Sequence, residues 1–199
     1  MFYVVRHGQT DWNVIRRYQG DTDTLLNEAG LRQAAGARDF LADFAIDRIV
    51  CSTLRRTRDT ASIINEKHHA PVLYTEQLVE RGYGDLEGSF IADHLQDEYH
   101  ARLLYMDTEE LPWRIETSAA LCRRVFGLLS SLEERYPGEN ILIVTHGGTI
   151  GAINAYFRGF GEGGRKLMTR RTGNCSVLAY SRREDAGGTF PDPLYSADL

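Results

Sequence analysis

Asn140-Ile141-Leu142-Ile143-Val144-Thr145-His146-Gly147-Gly148, continuing through Thr149 to Phe157, runs 18 residues without an acid, a lysine or an arginine. A membrane span needs about 20 mainly apolar residues, and Thr145, His146, Gly147, Gly148, Thr149, Gly151 and Asn154 interrupt this one. It reads instead as a buried strand, Ile141–Thr145, that ends in a histidine, then a helix that begins just after Gly147-Gly148 and reaches about Phe157. Short β-branched runs also stand at Phe2–Val5, Arg48–Cys51, Val72–Tyr74 and Ser176–Tyr180, separated mostly by longer stretches with helical spacing. Strands alternating with helices make a largely parallel sheet covered on both faces. The expected fold is α/β: a three-layer α/β/α sandwich with a mostly parallel central sheet and a helical cap insertion.

The first long helix should start at the N-cap Asn27 and turn Leu31, Ala34, Ala35, Phe40 and Leu41 inward. A second, roughly Leu54 to Glu66, buries Ala61, Ile63 and Ile64. A third, roughly Ser118 to Arg135, lines up Leu121, Val125, Leu128, Leu129 and Leu132 and stops at Pro137-Gly138. Residues 89–116 are mixed, acidic and aromatic without a strand signal, and read as the cap, a helical insertion over the sheet. In it Leu103, Leu104, Tyr105, Met106 and Trp113 read as packing the insertion down. From about 184 to 199 the chain reads as an irregular tail, and the whole as one domain, 1–199. Gly159-Phe160-Gly161-Glu162-Gly163-Gly164 fits GxGxxG but follows a helix, so it stops that helix and is no dinucleotide site.

The chain has 199 residues, 42% hydrophobic and 26% charged, with a net charge of −5. That balance allows a sizeable core and excludes a general binder of nucleic acid or anionic membrane. The small cluster Arg165, Lys166, Arg170 and Arg171 reads as a solvated face, and His68, His69, His94 and His100 as solvated rather than ligands. Cys51, Cys122 and Cys175 form neither a CxxC pair nor a disulfide framework. With no export signal ahead of Arg6-His7, the expected location is cytoplasmic.

Ligands of open α/β sheets bind outside the carboxyl ends of the strands. There the sequence places Arg6-His7-Gly8, Arg55-Arg56 after Ser52, Glu80 after the Val72–Tyr74 strand, and His146-Gly147-Gly148. Guanidinium forks bind phosphoryl oxygens bidentately. Neutral imidazole attacks phosphorus, and nearby arginines keep it neutral. Arg6 thus binds substrate and keeps His7 reactive. Glu80 can protonate a leaving alkoxide if burial or phosphate charge raises its pKa. The N–H groups at Gly147 and Gly148 can help hold the anion. No metal or other cofactor is expected, since arginines and His146 supply the positive charge.

RHGQT from Arg6, LNEAGLRQA from Leu26, CSTLRRTRDTA from Cys51, ERGYGDLEG from Glu80 and THGG from Thr145 occur in that order. In this the chain resembles the histidine phosphatase superfamily, the phosphoglycerate-mutase-like enzymes, over roughly residues 2 to 182. The resemblance implies that His7 becomes a phosphohistidine, with its ring held by the Gly8 carbonyl. It implies that Arg6, Arg56 (rather than Arg55) and His146 bind and polarise the phosphoryl group, that Asn13 contacts it, and that Glu80 donates the proton. Arg17, Gln19 and Tyr83 line the substrate side in related enzymes, while Glu87 reads as a structural hydrogen-bonding residue.

The resemblance covers phosphatases and mutases. A mutase must shield its phosphoenzyme under a long, basic cover, whereas residues 89–116 carry Asp93, Asp97, Glu98, Asp107, Glu109, Glu110 and Glu116 against only Arg102 and Arg114. A phosphatase acting on a small phosphorylated metabolite is expected, with a cofactor-dependent phosphoglycerate mutase or a non-catalytic phospho-ligand-binding protein as alternatives. No nucleic-acid or membrane partner is expected, and a homodimer is compatible with the chain.

Overall fold

Every residue of the Ile141–Thr145 strand is buried, and its side chains divide between two cores. In the computed structural model, which describes residues 1–97, 99–106, 110–167, 172–181 and 192–197, it is β4. With β1 (Phe2–Arg6), β2 (Arg48–Ser52), β3 (Val72–Thr75) and β5 (Val177–Tyr180) it forms one sheet in the order β3-β2-β4-β1-β5. The first four strands run parallel and β5 antiparallel to β1. Ile141 and Ile143 join Phe2, Val4 and Val50 in a core shared with α5 (Ser118–Arg135) and α6 (Gly147–Arg158). Leu142 and Val144 join Val5, Ile49 and Cys51 against α2 (Glu28–Leu41) and α3 (Arg55–Asn65). Alternation along each strand therefore places helices on both faces, giving three layers.

Asn27 caps α2 by accepting from the Gly30 N–H. The buried stripe of α2 is Gly30, Ala34, Ala37 and Leu41, one residue per turn. Leu31, expected inward, is exposed, and Ala35 and Phe40 are only half-buried. Leu31 lies about 100° round the helix from Gly30, so both cannot face the sheet. On α3, likewise, Ala61 and Ile64 are buried and Ile63 only partly. His146 is the N-cap of α6, so Gly147 and Gly148 form its first turn. Gly159, at φ 82°, ends that helix.

The remaining elements surround the carboxyl edge of the sheet. α1 (Asp11–Val14) follows β1 behind a Thr10–Asn13 capping box. The described residues of 89–116 form only short turns of helix, including α4 (Tyr99–Arg102) and Pro112–Arg114. Tyr99, Leu111 and Ile115 make a small cluster with Tyr18 and Leu86, so this segment covers the loops at the strand ends rather than the sheet face. Beyond it α7 (Glu162–Arg165) is a single turn. His94, expected to be solvated, pairs with Asp97 at 2.9 Å and packs on Trp113. The tail is packed where it is described: Tyr195 bridges Val177 and stacks on Phe40. Glu98, Asp107, Glu109, Arg170, Arg171 and residues 182–191 and 198–199 lie outside the described residues. No helix among the described residues is long and apolar enough to cross a membrane.

Candidate active site

The register pairs Arg6 with Thr145 and Cys51 with Val144, so β1, β2 and β4 end level with one another. Their next residues face a common cavity of about 260 Å³ lined by Arg6, His7, Asn13, Arg17, Gln19, Arg56, Glu80, Tyr83 and Gly147, among others. His146 is not on that lining. It is fully buried behind the cavity, its ring 5.2 Å from that of His7.

The His7 backbone is clamped from two sides, its N–H on the Thr145 carbonyl and its carbonyl accepting from the Asn174 amide. Its Nδ1 lies 2.7 Å from the Gly8 carbonyl oxygen. A carbonyl only accepts, so Nδ1 carries the hydrogen and Nε2 keeps its lone pair. Burial, then the charges of Arg6 and Arg56, hold the His7 pKa well below the ordinary imidazole value. His7 is therefore a neutral, oriented imidazole, chemically able to act as a nucleophile at Nε2.

Arg56 is fully buried, whereas Arg55 is exposed. Arg56 donates to the carbonyls of Gly20 and Thr22, and its Nε approaches His146 Nδ1 at 3.3 Å. A guanidinium can only donate, so His146 Nδ1 accepts and Nε2, 2.9 Å from Ser52 Oγ, carries the hydrogen. Burial, Arg56 and His7 keep the His146 pKa well below normal. Asn13 spends its oxygen on Thr10 and Asn174, and Gln19 spends its own on Thr10 and Thr24. Each is left with its amide N–H groups as donors. Tyr83 is a neutral phenol, its pKa pushed up to about 12 by burial and by Glu80.

Glu80 accepts from Gly148 N–H at 3.1 Å, Thr149 N–H at 3.2 Å and Arg81 N–H at 2.8 Å. The N-terminus of α6 thus holds this carboxylate, a correction to the expectation that the Gly148 N–H awaits the anion. Gly147, the first residue of α6, also lines the cavity. Glu87 accepts from Asp21, Thr22 and Tyr83, tying two loops together. Arg124 donates to the carbonyls of Val79 and Glu80 while paired with Glu116, and so fixes the Glu80 loop.

Of the described cap residues only Ile91 lines the cavity; Leu103, Leu104, Tyr105, Met106 and Trp113 do not. Sequence reasoning missed Ser52, Asn174 and Arg124. Ser52 stood inside a quoted motif, at the end of a strand where polar residues reach ligands. Asn174 and Arg124 carried no local signal. Among the described residues no group of three or more His, Cys, Asp or Glu could hold a metal ion.

A profile of the histidine phosphatase superfamily (branch 1) matches residues 2–188. The chain is similar to the uncharacterized phosphatase PhoE of Bacillus subtilis, at 39% identity over 75% of this chain and 73% of that protein. It is similar to the probable phosphoglycerate mutase GpmB of Shigella dysenteriae, at 32% identity over 92% of this chain and 85% of that one. The solved structure of a mycobacterial glucosyl-3-phosphoglycerate phosphatase with inorganic phosphate matches at a TM-score of 0.77 and 28% identity, over 100% of this chain and 98% of that one.

Proposed function

Because the chain belongs to branch 1 of the histidine phosphatase superfamily, we propose that it hydrolyses the phosphomonoester of a small metabolite through a phosphohistidine on His7. The observation that carries this reading is the His7 ring, neutral, tied at Nδ1 to Gly8 and lining a cavity with Arg6 and Arg56. Nε2 attacks phosphorus in line, the P–O bond to the alcohol breaks, and the departing oxygen takes the proton that a monoanionic phosphomonoester brings, relayed through the Glu80 carboxylate. Water then attacks phosphorus as Glu80 takes its proton, the P–N bond breaks as the new P–O bond forms, and phosphate leaves with His7 restored. Arg6, Arg56, Asn13, Gln19 and Gly147 N–H grip the phosphoryl oxygens, so no metal takes part. His146, both ring nitrogens engaged, holds Arg56 in place. A reducing, cytoplasmic setting fits Cys51, Cys122 and Cys175, which form no disulfide.

Hydrolysis of p-nitrophenyl phosphate, with acid-labile phosphate trapped on the protein, is the expected result. Both signals should vanish in His7→Ala, and retention of turnover by that variant sinks the reading. The likeness to GpmB and the ERGYG stretch favour a second reading, a phosphoglycerate mutase. Efficient isomerisation of 3-phosphoglycerate in the presence of 2,3-bisphosphoglycerate would establish it instead.

A further inference from the structure

Glu80 belongs to no strand or helix: between the short turns Glu76–Leu78 and Gly84–Leu86 the chain runs irregularly. Outside regular structure the backbone carbonyls need other partners, and here four consecutive ones are taken by side chains. Arg124 donates to those of Gln77, Val79 and Glu80 at 2.9, 2.9 and 3.0 Å, and Thr145 Oγ1 to that of Leu78 at 2.7 Å. Thr149 Oγ1 adds a second bond to the Val79 carbonyl.

Arg124, on α5, commits its whole guanidinium to this task. Nη1 serves Gln77 and Val79, Nη2 serves Glu80 and Glu116, and Nε serves the other Glu116 oxygen at 2.7 Å. Those bonds use every N–H an arginine has. Glu116 in turn exchanges bonds with Gly82, donating its N–H to the Gly82 carbonyl at 2.8 Å and accepting from Gly82 N–H at 3.3 Å. Arg123, the next residue on the helix, is exposed. Glu80 therefore hangs between two helices, its main chain fixed from α5 and its carboxylate held by the first turn of α6. Proton transfer requires heavy atoms within about 2.6–3.2 Å, so a small drift of this segment would cost that step while Arg6 and Arg56 kept their places.

We propose that Arg124 is a positioning residue for proton transfer, setting the Glu80 carboxylate at the ester oxygen through the main chain. The proposal rests on the phosphohistidine reading, in which Glu80 relays the leaving-group proton. Its mark is dependence on the leaving group. p-Nitrophenolate departs as a stable anion and phenolate does so poorly, so a misplaced relay penalises phenyl phosphate more than p-nitrophenyl phosphate.

The test takes the ratio of kcat/KM for phenyl phosphate to that for p-nitrophenyl phosphate, a quantity that covers the steps up to release of the phenol. Arg124→Met should lower this ratio by about tenfold or more, part of the roughly 10²–10⁴-fold that proton transfer contributes. Glu116→Gln, which leaves Arg124 a neutral partner, should lower it by about threefold and decides the question if Arg124→Met does not fold. Glu80→Gln should lower it at least as far as Arg124→Met, and combining the two should lower it no further. Arg123→Met removes the same charge from the neighbouring position and should leave it unchanged. Each ratio is internal to its variant, so a misfolded fraction cancels.

A ratio within about twofold of the unaltered protein's in the deciding variant overturns the proposal while the phosphatase reading stands. So does an equal fall in Arg123→Met, or a further fall when Arg124→Met is added to Glu80→Gln. A ratio unmoved by Glu80→Gln overturns the Glu80 relay and the proposal with it. Failure of the unaltered protein on both esters overturns the phosphatase reading itself.

Discussion

His7 and His146 are two imidazoles held neutral by burial among guanidiniums, and the arrangement that prepares one for attack also makes the fold sensitive to acid. Both folded-state pKa values lie below the ordinary value near 6.5, so below that pH the unfolded chain takes up protons that the folded chain refuses. Stability should therefore fall as pH drops below about 6.5, at up to about 1.4 kcal/mol per pH unit for each ring. Urea unfolding at several pH values from 7.5 to 5 checks this, and His146→Gln should roughly halve the slope. Arg56→Gln removes the proposed phosphoryl donor and the partner of His146, and should cost about 3–4 kcal/mol in the transition state, read as kcat/KM on p-nitrophenyl phosphate. At this scale the meeting of His7, Glu80 and Arg56 at one cavity was legible because each stands just beyond a strand end, in a stretch of chemically pointed residue types. Ser52, Asn174 and Arg124 act on partners 94, 167 and 44 residues distant, and such pairings leave no trace in the spacing of a single chain.

Between elements, the closest approach that matters is that of α2 to the loop after β1. A Cβ on Gly30 would stand 2.2 Å from the Gln9 carbonyl oxygen, and one on Gly8 would stand 2.5 Å from that of Gly30. Gly30→Ala should thus push the His7 loop off its support, with a loss of about 1–3 kcal/mol in stability and a fall in kcat. Gly127, exposed within α5, has nothing within 4 Å of a built Cβ. Gly127→Ala should stabilise by about 0.5–1 kcal/mol without affecting kcat, and chemical denaturation of the two variants side by side tests both statements. The α2 cap and the full span of α5 could be read ahead because long helices repeat their apolar stripe and end on recognisable residues. Leu31 misled because an apolar residue at the stripe's margin resembles one inside it. The cap turns could not be placed at all, since three- and four-residue helices have no period to detect.

For the molecule as a whole, the net charge of −5 conceals its own partition. Residues 89–116 hold the acidic excess, while the cavity beneath is lined by Arg6, Arg17 and Arg56. The parallel sheet was legible from alternating strand and helix signals, and the antiparallel course of β5 was not, because direction depends on where the chain returns. That return brings Thr172, Asn174 and Cys175 against the first strand: Arg6 donates to the Thr172 carbonyl, Asn174 to that of His7, and Cys175 N–H to that of Arg6. A chain ending at Leu167 should therefore release no p-nitrophenol in a standard assay, even though His7, Arg56, Glu80 and His146 are all present in it. The ribosome makes His7 167 residues before the asparagine that clamps it. Folding must wait for contacts distant in sequence, which is slow, and the pocket stays incomplete until Asn174 has been made and has returned to the first strand.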